Sequence, residues 1–187
     1  DNRFTKVTLF QGMDEPMEMA FLPDDKILIV ERKGGVKLFD ENRPEELKHI
    51  ATIPVNTKYK NKKGHVREAE EGLMGVIAHP DYAKNHWIFM YYADPDEPVH
   101  KLARWEFKDN ELIESSKKIV LEVKTQREEC CHTGGGMIFD NEGNLFLTVG
   151  NNTVNPRNGA SNLVELKGEE NSDDQRGPSN SNDLRGK

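Results

Sequence analysis

The sequence predicts an all-β protein forming part of a β-propeller, about two and a half blades of four-stranded antiparallel sheet. Three observations lead there. The apolar residues come in runs of four to seven, rich in Ile, Val, Phe, Tyr and Leu, the length and composition of strands. Clusters of Asp, Asn, Gly and Pro separate the runs, with 15 Gly and 9 Pro spread over 187 residues, and no stretch of ten or more residues keeps a helical period. A strand–turn–strand pattern also returns at wide spacing: Pro23 to Pro80 is 57 residues, and Pro80 to the equivalent turn position Asn141 is 61. Four strands recurring at such a spacing make one propeller blade; a meandering sandwich is the alternative.

In order, Lys6–Phe10 reads as a short strand. Met17–Leu22 and Lys26–Glu31 flank the acidic turn Pro23-Asp24-Asp25, where Pro fixes φ and Asp accepts backbone N–H bonds. Val36–Asp40 and Leu47–Ile53 complete a first blade over 17–53. Leu73–His79, Trp87–Tyr92, Lys101–Lys108 and Lys117–Val123 repeat it over 73–123, and Met137–Asp140 with Asn144–Val149 open a partial third blade over 132–187. After Gly150 the composition changes, since 21 of 37 residues are Asn, Gly, Ser, Asp or Pro. A long loop over 151–183 is expected there, with Leu184–Lys187 opening the next strand. A propeller closes with ~4–8 blades, so residues 1–187 read as the N-terminal part of one propeller domain in a longer chain.

Composition excludes some functions. With 26 Lys+Arg against 33 Asp+Glu the net charge is −7, and nothing would neutralise a run of phosphates, so no nucleic-acid partner is expected. The basic run Lys58–Lys63 reads as a solvated hairpin tip. The longest apolar run, Trp87–Ala93, is seven residues, against the ~20 of a membrane helix. Asp1–Phe4 show neither the basic start nor the apolar stretch of a signal peptide; a chain whose signal has been removed looks the same.

Three polar segments open strands at the expected axial mouth: Glu70-Glu71-Gly72-Leu73-Met74-Gly75, Cys130-Cys131-His132-Thr133-Gly134-Gly135-Gly136, and Asn182-Asp183-Leu184-Arg185-Gly186-Lys187. His132 is the candidate base, since an imidazole accepts a proton near neutral pH and the three glycines leave room for a ligand. The competing reading is a histidine hydrogen-bonded in a turn. Glu70 and Glu71 read either as a metal or general-base pair or as a solvated face. His79 reads as structural, in a His-Pro-Asp turn, and His49, His65, His86 and His100 have no neighbours suggesting chemistry. Asp173-Asp174 lack EF-hand spacing. The adjacent Cys130 and Cys131 exclude a dispersed disulfide framework and a CxxC zinc pattern.

Together these segments resemble the glucose/sorbosone dehydrogenase family, on the motifs Glu71-Gly72-Leu73-Met74-Gly75-Val76-Ile77-Ala78-His79-Pro80-Asp81-Tyr82, His132-Thr133-Gly134-Gly135-Gly136 continuing through Asn151, and Asn182–Lys187. The resemblance spans Phe4 to Lys187. It implies a six-bladed propeller carrying pyrroloquinoline quinone (PQQ) and calcium, oxidising a sugar or polyol, with His132 taking the hydroxyl proton and Asn151 beside it. Glu70, Glu71, Cys130 and Cys131 are the cofactor-binding candidates it suggests; its metal ligands are not assignable within these residues. The Cys-Cys-His and Asn-Asp-Leu-Arg-Gly-Lys forms look most like large bacterial multidomain members. That implies an exported protein, periplasmic or extracellular, with a cytochrome c domain or another electron acceptor as partner. Asn151 stands where members usually have Asp, and Glu70 where some have Gln. An amide holds an imidazole without stabilising its cation, so a non-catalytic carbohydrate- or protein-binding propeller is the second reading; a calcium-dependent hydrolase is a third, disfavoured by the lack of metal carboxylates around His132. In an exported, oxidising setting a Cys130–Cys131 disulfide is expected. Neighbouring Cα atoms ~3.8 Å apart lie below the usual ~4.4–6.8 Å, so the bond closes a tight eight-membered ring. Two buried thiols, or bonds to cysteines outside these residues, are the alternatives.

Overall fold

The computed structural model describes residues 3–61, 63–128, 130–152 and 177–187. The first sheet holds β1 (Pro16–Leu22), β2 (Lys26–Glu31), β3 (Gly35–Asp40) and β4 (Leu47–Thr52) as an antiparallel meander. A small hairpin follows, β5 (Lys58–Lys60) against β6 (Val66–Glu68). The second four-stranded meander contains β7 (Leu73–Ala78), β8 (Trp87–Ala93), β9 (Val99–Lys108) and β10 (Glu111–Lys124), with the single helical turn α1 (Tyr82–Asn85) between β7 and β8. A third sheet begins with β11 (Gly134–Phe139) against β12 (Leu145–Val149). The innermost strand β7 neighbours both β1 and β11, so the sheets are set radially, as in a propeller.

Strand alternation explains how the sheets are held. In β8, Ile88, Met90 and Tyr92 join a core with Leu28, Val30, Val36 and Leu38 of the first sheet, whereas Phe89 and Tyr91 pack with Met137, Phe139, Leu145 and Leu147 of the third. Covered on both faces, β8 reads as an unbroken apolar run rather than as alternation. Trp105, Tyr91, Tyr92 and Phe107 are at most 1% exposed, and burial of each large side chain contributes ~1.5–3 kcal/mol, which makes the second sheet the anchor of the other two. At the two ends of the arc, Met19 and Phe21 on β1 and the facing pair Ile138 and Phe146 on β11 and β12 are exposed.

Lys6–Phe10, expected as a strand, is not one. Val7 and Leu9 alternate as a strand would, but both are exposed, and the segment joins no described sheet; alternation specifies faces and does not supply a hydrogen-bonding edge. Phe10 instead sets its ring edge-on to Phe39 at 5.7 Å. Of the long loop expected over 151–183, residues 153–176 lie outside the described set, as does the Asp173-Asp174 pair.

All three innermost strands carry a register shift at their start, at Pro16/Glu18, Leu73/Gly75 and Gly134/Met137. Such bulges bend the strand and re-aim side chains at its end. At the last two, the backbones nearly touch: a Cβ on Gly75 would lie 2.2 Å from the Gly135 carbonyl oxygen, and one on Gly135 2.8 Å from the Met74 Cβ. Gly135 also holds φ +122. The room left by these glycines is thus filled by neighbouring strands rather than by a ligand. Gly135→Ala is expected to destabilise the fold by at least ~2 kcal/mol, combining overpacking and backbone strain, as read from urea denaturation. Gly143→Ala, at φ +85 with nothing within 4 Å, isolates the backbone part; equal losses for the two variants would show that the strand contact is not costly.

Candidate functional site

The site is built where β7 and β11 begin. Glu70 and Glu71 stand three and two residues ahead of β7, and their side chains serve opposite sides. Glu70 is exposed, and its Oε2 accepts the His132 backbone N–H at 3.1 Å. Glu71 is 6% exposed. Its Oε2 meets His100 Nε2 at 2.7 Å, and its Oε1 accepts Arg127 Nε at 2.9 Å together with the Asn56 amide. An ionised carboxylate only accepts, so His100 donates from Nε2, leaving Nδ1 to accept the Tyr91 hydroxyl at 3.2 Å. Arg127 also donates from its Nη2 to the Asp94 carbonyl at 2.5 Å. Burial alone raises the pKa of Glu71; the His100 bond, the Arg127 charge and the Asn56 bond outweigh it and hold the carboxyl below its ordinary value. Burial pushes the Tyr91 hydroxyl up, with the Glu71 charge adding to it.

His132 is exposed, with φ 62. Its backbone is fixed from two directions: the N–H on Glu70, and the carbonyl accepting the Asn152 N–H at 3.3 Å. Gly150 lies against that carbonyl so closely that a Cβ would sit 1.8 Å from the oxygen. The imidazole forms no hydrogen bond with the described residues. Asn151 is half-buried between Gly150 and Asn152. Asn152 is buried, and its Oδ1 accepts the Gln126 N–H at 2.7 Å while its carbonyl accepts Gln126 Nε2 at 3.1 Å. Cys130 and Cys131, both half-buried, are paired with each other as a disulfide across a cis peptide. Glu70, Glu71, Cys130, Cys131, Thr133 and Asn152 line a small pocket.

The third segment closes the arrangement. Val149 and Lys187 exchange backbone hydrogen bonds at 2.8 and 3.1 Å, and the Gly186 N–H reaches the Gly150 carbonyl at 3.1 Å. Arg185 forks onto Asp183, with Nη2 to Oδ2 at 2.6 Å, and Lys187 Nζ donates to the Gly177 and Pro178 carbonyls. All three segments therefore meet: the Glu70 carboxylate on the His132 N–H, and backbone to backbone from His132 to Asn152 and from Gly150 to Gly186. A wider groove of about 610 Å³, lined by Leu22, Asp24, Tyr82, His86, Phe107 and Asn110 among others, lies at the far ends of the innermost strands, away from this cluster. His79 accepts the Asp81 N–H at 3.0 Å in its turn.

Sequence reading missed His100, Tyr91, Arg127, Asn56, Gln126 and Asn152. One signal was available for His100: it is in phase with Leu102 on β9, and so on a covered face. The others join across sequence distances that no local pattern reveals.

A blade-built β fold whose strand starts gather a histidine, carboxylates and a sulfur pair at one end defines the class. The family model of glucose/sorbosone dehydrogenases matches residues 13–171, and the chain belongs to that family. Aldose sugar dehydrogenase YliI of Escherichia coli is 25% identical over 161 residues, covering 84% of this chain and 40% of that protein. The uncharacterised protein slr1608 of Synechocystis is 23% identical over 170 residues, covering 87% of this chain and 37% of that one. The chain thus spans about two fifths of the curated relatives it matches. Among solved structures, the PQQ-bound aldose sugar dehydrogenase of Streptomyces coelicolor superposes with a TM-score of 0.68 at 18% identity, over 97% of this chain and 45% of that one, a likeness of fold. Among the described residues no helix is long and apolar enough to cross a membrane.

Proposed function

We propose that residues 1–187 are the N-terminal part of one propeller domain in an exported quinoprotein dehydrogenase that oxidises a hydroxyl of a sugar or polyol. The observation that carries this is His132: an exposed imidazole with no hydrogen-bond partner among the described residues, on a backbone hydrogen-bonded from two directions just ahead of an innermost strand. Further blades would cover the apolar faces at Met19 and Phe21 and at Ile138 and Phe146. PQQ, when bound, supplies the acceptor for the hydride that leaves the substrate carbon. The donor chemistry here fits one side of such a site. Cys130 and Cys131 offer an apolar sulfur surface beside His132, and Glu70 has one carboxylate oxygen without a hydrogen bond from the described residues to offer a ligand hydroxyl. Glu71, with both oxygens used internally, acts from behind by fixing Arg127.

In this reading His132 takes the substrate hydroxyl proton, and Asn151 helps to orient the imidazole. Calcium enters as the family's second group, with its ligands outside these residues. Electrons pass to a cytochrome c domain or another acceptor, in the periplasm or outside the cell. The second reading, a carbohydrate-binding propeller without turnover, is favoured by one observation: Asn151 brings no charge to stabilise an imidazolium. The test is reconstitution of the full-length chain with PQQ and calcium, followed by reduction of an electron-accepting dye on addition of aldose sugars. Dye reduction that needs both PQQ and sugar is expected; sugar binding without dye reduction would decide for the second reading.

A further inference from the structure

The adjacent cysteines are not fully used by the reaction above, and a third donor stands beside them. We propose that Cys130 and Cys131, once reduced, form with Glu70 a three-donor site for a thiophilic divalent cation such as zinc, so that the loop carrying His132 is a redox-gated metal site. The two Sγ atoms and a Glu70 carboxylate oxygen all lie within 4.8 Å of one another. Tetrahedral zinc with Zn–S of ~2.3 Å and Zn–O of ~2.0–2.2 Å places its donors roughly 3.5–3.8 Å apart, within reach of these atoms once the sulfurs separate. Both cysteines are half-buried and Glu70 is exposed, so reductant and ion have access. Glu70 spends one oxygen on the His132 N–H, and the other, without a hydrogen bond from the described residues, is offered to the cation. The fourth position falls to water.

The gate is a two-electron reaction. A dithiol, free or as the active site of a thiol–disulfide oxidoreductase, gives two electrons and two protons; the S–S bond breaks, two thiols form, and the dithiol leaves as its own disulfide. Cation binding then releases the two thiol protons to solvent. The oxidised pair has no thiolate to offer and does not bind. Soft sulfur donors select zinc, cobalt or cadmium and reject calcium, so this site differs in kind from any all-oxygen calcium site. The inference rests on the loop geometry alone and stands or falls separately from the dehydrogenase reading.

The test is titration of the full chain with Co²⁺, before and after phosphine reduction and removal of the reductant without air. One equivalent bound with a thiolate-to-cobalt absorption band is expected in the reduced protein only, undiminished by excess calcium. Cys130→Ser or Cys131→Ser should each remove the band. Glu70→Gln, an exposed change, should weaken binding at least ~10-fold, since even outer-shell losses at metal sites cost ~10–100-fold. The proposal is overturned by no band in the reduced protein, by equal binding to the oxidised protein, or by unchanged affinity in Glu70→Gln, which would put the cation on sulfur alone. Loss of the β-sheet circular dichroism on reduction would overturn it too, because the site requires the folded loop.

Discussion

In the full-length, PQQ-loaded protein, His132→Ala is expected to lower kcat by ~10²–10⁴-fold, the range for loss of a positioned general base. Most of the loss should appear in kcat rather than KM, because the imidazole acts on the proton in transit and adds little to ground-state binding. His132→Gln, which keeps a hydrogen-bonding group but no base in the working range, should be nearly as slow. The structure explains why the effect should be confined to the ring: the His132 backbone is held by Glu70, Asn152 and Gly150, none of which depends on its side chain. Melting temperature should therefore move little. An unchanged kcat in His132→Ala would remove the assignment of His132 as the base.

The largest stability effect is expected at Glu71. Glu71→Ala leaves Arg127 and His100 in a buried site without their carboxylate, and breaking a buried pair from one side costs ~3–5 kcal/mol. For a chain of this size that is a fall in melting temperature of roughly 6–20 °C. Glu70→Ala removes a single exposed contact and should cost ~0.5–1.5 kcal/mol. The two neighbours are thus separated by one calorimetric comparison. Acid should act through the same carboxyl. The folded pKa of Glu71 is lowered, so its contribution is fully present above the unfolded value, 4.5, and is lost as pH falls through the folded one. Glu71→Gln should flatten the acid limb of the stability profile while lowering the plateau.

The blades were legible because their strands follow rules that act over a few residues. Pro23-Asp24-Asp25 sets a tight turn, and Trp87–Ala93, covered on two sides, has no polar positions to blur it. Wide spacing of the Pro turns then revealed the blade as a unit. The β5–β6 hairpin was legible only at its tip, since Val66–Glu68 has too few apolar residues to show a period, and α1 is too short to show one at all. His132 and Glu70 could be read because they sit beside glycines at strand starts. The pairing beneath them could not. Glu71 and Arg127 lie 56 residues apart, Glu71 and His100 lie 29 apart, and a Glu-rich stretch looks solvated from its composition. Only the radial packing of the second blade puts these groups in one place.

Glu70 and Glu71 also impose a rule on length. The two side chains point to opposite sides, Glu70 to the His132 N–H and Glu71 to Arg127 and His100, so one carboxylate belongs to the mouth and the next to the interior. Substitution at either position alters one compartment only. Deleting or inserting a single residue between this pair and Leu73 would shift both carboxylates at once, taking Glu71 off Arg127 and His100 and Glu70 off the His132 N–H. The segment should therefore accept changes of residue far more readily than changes of spacing, and engineered loops grafted at this mouth should be varied in identity while their length is held fixed.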